Sequence, residues 1–446
     1  MSLLDRAAAM RDASVPNTDA GRRRALATVI AVVFIDLLGF GIVVPILPFY
    51  VRSFGVSDVF IGLLAASYSL TQFLAAPYLG RLSDERGRRP VLLLSLAGGA
   101  VAWLVFGFGA EAESLFGPTA GLAMLFVARA LAGAMGGNIA AAQAYVADVT
   151  PVDERAGALG LVGAAFGLGF VFGPALGAAF ASDTAVAAAD AVLPSFVPTT
   201  AFSLPSFAAA GFSLLAFFAT AVALPEPRRT VGTAGPTGVV SGFRAALADR
   251  DLRPLVVVFL VASVAFSGVQ VAFIPFVADS FGYDEAGAGL LLTYIGVLGV
   301  LNQGVVVRVL SRRFADARLA VAGAVLLAIA LVGLPFAGAI GALLPDWVSP
   351  FGGGPALAAL LVVLAALSTG NGLLNVGLAA LVSRVAGEDR QGMAFGVTQG
   401  AGSLGRTIGP PVMTGLYVFA VAAPFLLGAA LTVGTVALLV GVARTT

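Results

Sequence analysis

Twelve apolar runs of roughly 20 residues or more divide this 446-residue chain, and each is long enough to cross a ~30 Å hydrocarbon core as a helix. Lipid offers a peptide group no hydrogen-bond partner, so a run of that length must satisfy its own backbone, as a helix does. The runs cover 25–50, 59–80, 90–110, 119–147, 157–181, 205–224, 254–278, 285–308, 319–340, 356–382, 391–417 and 422–442. Charged residues make up 11% of the chain against about 25% in a soluble domain, too few to wet an aqueous surface. The expectation is an all-α integral membrane protein with twelve transmembrane helices.

Orientation follows from arginine. There is no lysine, and 22 of the 25 basic residues lie in the two termini and in alternate loops. The opposite loops hold only Arg52, together with Glu111, Glu113, Asp183, Asp190, Asp284 and Asp346. Positive charge stays on the cytoplasmic side, so both termini are expected there and the protein in the plasma membrane. Residues 1–24 read as a polar, basic cytoplasmic tail without the apolar core of a signal peptide. With no cysteine, disulfides and thiolate metal sites are excluded, and with no histidine the usual proton carrier near neutrality is missing.

The chain also repeats itself. Pro48-Phe49-Tyr50-Val51-Arg52-Ser53-Phe54-Gly55 aligns with Pro275-Phe276-Val277-Ala278-Asp279-Ser280-Phe281-Gly282. The match continues through Gly62-Leu63-Leu64 and Gly289-Leu290-Leu291, and later through Gly173-Pro174 and Gly409-Pro410. Two copies of a six-helix unit follow, 25–224 and 254–446. Six is even, so the copies run parallel. Residues 225–253, with Pro227, Gly232, Pro236 and five arginines, read as a cytoplasmic linker, with a short surface helix near 242–249.

Three local patterns stand out. The loop after span 2 reads Gly80-Arg81-Leu82-Ser83-Asp84-Glu85-Arg86-Gly87-Arg88-Arg89-Pro90. Gly80 is expected to end a helix, Gly87 to allow a turn, and Asp84 to sit where the next helix starts and favours negative charge. Arg88 is placed to bridge to an acid on another helix. Span 5 carries Gly160, Gly169, Gly173, Pro174 and Gly177, a spacing that clears one helix face for close packing, with a proline that removes a backbone hydrogen bond. Span 1 carries Asp36-Leu37-Leu38-Gly39-Phe40-Gly41 and then Pro45 and Pro48.

The two parallel halves and these motifs resemble the major facilitator superfamily. The loop is similar to its G-x-L-[SA]-D-[RK]-x-G-[RK]-[RK] motif, with Glu85 where the family prefers a base. That resemblance implies a conformational latch of Gly80, Asp84, Gly87, Arg88 and Arg89, with Asp148 at the end of span 4 as the partner acid. The span 5 pattern resembles the antiporter motif, with Ala178 in place of its last glycine. Span 1 resembles the proton-coupled drug-efflux branch, especially tetracycline/proton antiporters. Those exporters carry acids in spans 3 and 9 and a histidine in span 8, whereas 90–110 and 319–340 here contain no Asp or Glu. The resemblance therefore implies the branch and not that drug.

Charges inside spans need a reason, because each costs roughly 2.5–3.5 kcal/mol at bilayer depth on insertion scales. Asp36 lies about 16 Å into span 1 at 1.5 Å per residue. Burial favours its neutral form and a nearby arginine its carboxylate. It is either a proton-loading site or half of a static Asp–Arg pair. Arg129, in span 4, resembles the family's R-x-x-x-G arginine and would tune Asp36 or bind an anionic group. Arg406 in span 11 either pairs with helix carbonyls or lines a cavity. Polar residues at mid-depth in both halves are candidates for a substrate cavity: Tyr68, Gln72, Asn138, Gln143 and Gln270, then Tyr294, Asn302, Asn371, Asn375 and Gln399. Each is alternatively an interhelical hydrogen bond worth about 0.6 kcal/mol.

No enzyme motif is present. There is no Walker loop, and Gly167-Leu168-Gly169 has no strand before it, so no nucleotide and no cofactor are expected. The reading is a secondary transporter using protons to export amphipathic or drug-like molecules by alternating access. The alternative is transport of an organic anion or other metabolite. Expected partners are a small-molecule substrate, protons and the lipid bilayer, with no nucleic acid, and a monomer suffices.

Overall fold

The computed structural model describes residues 19–445 except 152–153, 195, 228–247, 250–251, 303–305, 311–312 and 387–390. The short helix expected near 242–249 lies almost wholly outside the described residues. Contacts divide the chain into two compact units, Met1–Gly55 with Leu70–Gly235 and Glu285–Thr293, and Val56–Ser69 with Pro236–Asp284 and Tyr294–Thr446.

In chain order the helices begin with α1 (Asp19–Val43), α2 (Leu47–Ser53), α3 (Val59–Arg86), α4 (Arg88–Gly107), α5 (Gly109–Phe116) and α6 (Pro118–Ala134). Next come α7 (Asn138–Val149), α8 (Arg155–Ala181), α9 (Asp183–Val192) and α10 (Ser203–Ala223). The remainder are α11 (Leu252–Phe281), α12 (Glu285–Leu301), α13 (Val307–Leu310), α14 (Asp316–Gly333), α15 (Ala337–Gly341), α16 (Gly354–Ala386), α17 (Gln391–Phe419) and α18 (Ala423–Thr445). Among the described residues ten helical stretches are long and apolar enough to span a membrane, and α12 is apolar but shorter. The remaining expected span, span 11, is α17, 29 residues long with Pro410 and Pro411 inside.

The first unit packs α1 against α8 and α10, and α4 against α10 and α6. Within the second unit α11 packs against α17 and α18, and α14 against α18 and α16. These are the same pairings between equivalent spans, so the duplication seen in sequence is a duplication of packing. Val29, Val33, Leu92, Tyr145, Val146 and Val162 form part of the first unit's buried core.

Three expected single helices are interrupted. Span 1 stops at Val43, turns through Val44–Ile46 and resumes as α2, because Pro45 disfavours helical backbone in the residue before it. Tyr50 anchors α2: it is fully buried, stacks on Phe202 at 4.6 Å, and its hydroxyl accepts a hydrogen bond from Ala110 N at 2.7 Å. Span 4 breaks between Ala134 and Asn138, at Gly136 and Gly137. Span 9 ends α14 in a 3-10 turn, Leu334–Phe336, where Pro335 cannot donate to the preceding turn, before α15 continues.

Candidate functional site

Asp36 sits midway along α1, half-buried, and accepts a hydrogen bond on Oδ1 from Ser213 Oγ of α10 at 3.3 Å. It lines a cavity of about 10 Å³ with Val32, Val33, Leu92, Leu96 and Ile139. That volume is at the lower edge of what one water needs. One turn further on the same face is Phe40. The Arg129 guanidinium, 7% exposed, lies 5.9 Å from the Phe40 ring centre and 5.9 Å from that of Trp103. A cation at this distance from two aromatic faces is stabilised without water. α1, α4, α6 and α10 thus bring one acid, one cation, one hydroxyl and two aromatic rings into a single apolar region.

α1 and α8 approach closely enough to need glycine on both sides. A Cβ on Gly173 would lie 2.6 Å from Gly41 Cα, and one on Gly177 would lie against the carbonyl of Ile42. Gly169 similarly faces Leu37 Cβ at 2.7 Å. The stripe at intervals of four therefore seats the Asp36 helix against α8, and Pro174 lies within it. Gly160 belongs to the sequence pattern but not to this contact, since a Cβ there meets nothing within 4 Å.

The loop after span 2 forms a clasp. Arg88 donates from Nε to Asp148 Oδ2 of α7 at 2.9 Å and pairs through Nη1 with Asp84. Arg89 is buried and donates to the carbonyl of Ala221 on α10 at 2.7 Å. Two expectations are corrected. α3 runs on through Gly80 to Arg86, and a Cβ on Gly80 meets nothing within 4 Å, so Gly80 neither ends the helix nor allows close packing. Asp84 lies in the last turn of α3 and not at the start of α4. The carboxylate at that start is Glu226, whose Oε1 and Oε2 accept from Arg88 N at 2.8 Å and Arg89 N at 3.0 Å. These are backbone donors that a helix start leaves unsatisfied. Gly87 is required twice, by φ +119° and because a Cβ would lie 2.7 Å from Glu226 Oε1.

The polar candidates separate by environment. Gln72 donates to Gly136 O at 3.5 Å, a carbonyl at the break between α6 and α7. Tyr294 donates to Leu361 O at 3.2 Å. Asn302 is 6% exposed, donates to Ser368 Oγ at 3.4 Å and accepts from Thr369, an interhelical network within the second unit. Asn375 donates to Asn371 Oδ1 at 2.9 Å, and Arg406 to Ser403 Oγ at 2.9 Å, one turn back on its own helix. Tyr68 is half-buried, while Gln143, Gln270, Asn375 and Gln399 are exposed. The side chain of Asn138 lies outside the described residues.

A family model described as Major Facilitator Superfamily matches residues 29–410. The chain belongs to the major facilitator superfamily. It is 30% identical to tetracycline resistance protein, class C, of Escherichia coli, over 88% of this chain and 89% of that one. It is 27% identical to multidrug resistance protein 1 of Bacillus subtilis, over 92% and 93% of the two chains. Among solved structures, a bacterial homologue of the human lysosomal transporter Spinster superposes with a TM-score of 0.68 at 16% identity, covering 96% of each chain. The human organic anion transporter MFSD10 gives 0.64 at 24% identity, covering 94% of this chain and 99% of that one.

As a member of this superfamily the chain is a multi-pass membrane transporter of small molecules and not an enzyme. Among the described residues no group of His, Cys, Asp and Glu could hold a metal ion. Sequence reasoning missed Ser213, Trp103 and Glu226. Ser213 and Trp103 have ordinary side chains whose partners lie on distant spans. Glu226 had a signal, an acid between Pro225 and Pro227 just beyond an apolar run. Tyr145, whose hydroxyl donates to Pro225 O at 2.7 Å, fixes that segment.

Proposed function

We propose that this transporter exports amphipathic, drug-like molecules across the plasma membrane in exchange for protons, as a monomer with both termini cytoplasmic. Its two halves, 25–224 and 254–446, alternate the access of one substrate site. The observation that carries the reading is Asp36. It is an acid deep in a span, bonded to Ser213, beside a water-sized cavity and on the helix face over which Arg129 lies. Its carboxylate takes a proton from outside, and the neutral acid no longer holds a cationic substrate. Re-exposed to the cytoplasm, the acid gives its proton up and substrate binds again. Arg129 favours the carboxylate and so assists release. The clasp of Arg88, Asp148 and Glu226 stabilises one conformation of the cytoplasmic ends. Relatives named for tetracycline and multidrug resistance support a drug-like substrate.

Reconstituted vesicles with an imposed pH gradient test this. Tetraphenylphosphonium should drive proton movement in the wild type and not in Asp36→Asn. Full coupled movement in Asp36→Asn would remove the assignment. A second reading, transport of an organic anion, is favoured by two arginines in spans, Arg129 and Arg406. Proton movement driven by carboxylates and not by lipophilic cations would select it.

A further inference from the structure

α10 is built inside out by the standard of a soluble helix. Its buried face carries small residues, among them Ser206, Ala209, Ala210, Ser213 and Ala216. Leu204, Phe207, Ala208, Phe212 and Leu215 lie on the other side, where 204, 208, 212 and 215 follow one another at three or four residues and so share one stripe. Gly211 interrupts that stripe. With Phe180 of α8 as the facing wall, these residues line an open groove of about 380 Å³.

Several features give the groove a defined occupant. No lining residue has a polar side chain, so it offers an amphipathic substrate no hydrogen bond. From Leu204 to Leu215 it runs eleven residues, or ~16 Å at 1.5 Å per residue. One leaflet of a ~30 Å hydrocarbon core is about 15 Å deep. The groove begins where α8 ends and α10 starts, next to the acidic loop with Asp183 and Asp190, so it covers the leaflet on the arginine-poor side. Its wall is fixed, because the Phe207 ring packs against Gly107 and lies 5.1 Å from Phe108. Its hollow is Gly211, where an added Cβ meets nothing within 4 Å.

We infer that this groove is a seat for one acyl chain of a phospholipid from the arginine-poor leaflet. Attraction there is van der Waals contact along the open groove, since burying hydrocarbon from lipid gains nothing from water.

The test uses the full chain in phosphatidylcholine vesicles containing a small fraction of phosphatidylcholine with a photoactivatable diazirine at mid-chain. Labelling should concentrate on 204–215 and Phe180, severalfold above exposed apolar residues on other spans such as Ile329 and Val433. Gly211→Leu, whose Cβ meets nothing within 4 Å, should reduce it to that background. Excess lysophosphatidylcholine should compete with the label and tetraphenylphosphonium should not, a comparison that needs no variant to fold. Even labelling across spans would overturn the proposal. So would unchanged labelling in folded Gly211→Leu. Displacement by tetraphenylphosphonium would overturn it in favour of a substrate port.

Discussion

Substituting Gly87 by alanine has a cost that can be divided between two causes. The backbone there has φ 119° and ψ 157°, a region essentially reserved for glycine, which costs a side chain about 1–3 kcal/mol. The new Cβ would also lie 2.7–2.9 Å from the Glu226 carboxylate and displace it from Arg88 N and Arg89 N. Hydrogen bonds to a charged group contribute about 1.5–3 kcal/mol each, and the lower figure suits a half-buried carboxylate. Gly87→Ala should therefore destabilise the protein by about 4–6 kcal/mol, whereas in a Glu226→Ala background only the strain of about 1–3 kcal/mol remains. Equilibrium unfolding of the four proteins in mixed micelles, with rising sodium dodecyl sulfate, measures the cycle. The coupling should be about 3 kcal/mol, the two hydrogen bonds at about 1.5 kcal/mol each, well beyond the ~0.5 kcal/mol of independent sites. Additive effects within that limit would refute the clasp as described.

Gly80→Ala, at an open position inside α3, should stabilise by about 0.5–1 kcal/mol in the same assay and leave export unchanged. Gly173→Ala forces a methyl group onto the backbone of Gly41 and should cost about 1–3 kcal/mol. Arg384→Ala breaks a pair with Asp316 in which the arginine is 71% exposed, and should stay within about 1 kcal/mol of wild type. Arg129→Lys keeps the charge but loses the flat face that lies over Phe40 and Trp103, so export should fall severalfold in vesicle assays with folding intact.

Spacing along one helix is readable without coordinates. The runs that become spans and the stripe Gly169, Gly173 and Gly177 are of this kind, whereas the pairing of Arg88 with Asp84 across the turn was not anticipated. Asp148 was legible only through resemblance. What the spacing could not supply is what each glycine faces. Gly160 fits the pattern as well as Gly173 does, yet only Gly173 meets a helix. Asp84 was misplaced because the helix boundary falls at Gly87, three residues later than a glycine-ended helix at Gly80 would put the next start's acid. Glu226 was marked by its place between two prolines, but its role was not legible, because its partner amides lie 137 and 138 residues away in sequence. The breaks in spans 1 and 4 were marked by Pro45 and by Gly136 and Gly137, but hydropathy alone reads straight across them.

The proposed mechanism turns on Asp36 exchanging a proton for substrate. Purified protein in weakly buffered detergent with a pH-sensitive dye tests it most directly, by adding tetraphenylphosphonium and recording released protons. Saturable release is expected from the wild type and none from Asp36→Asn. Equal release from Asp36→Asn, or binding by the wild type with no release at all, would contradict it.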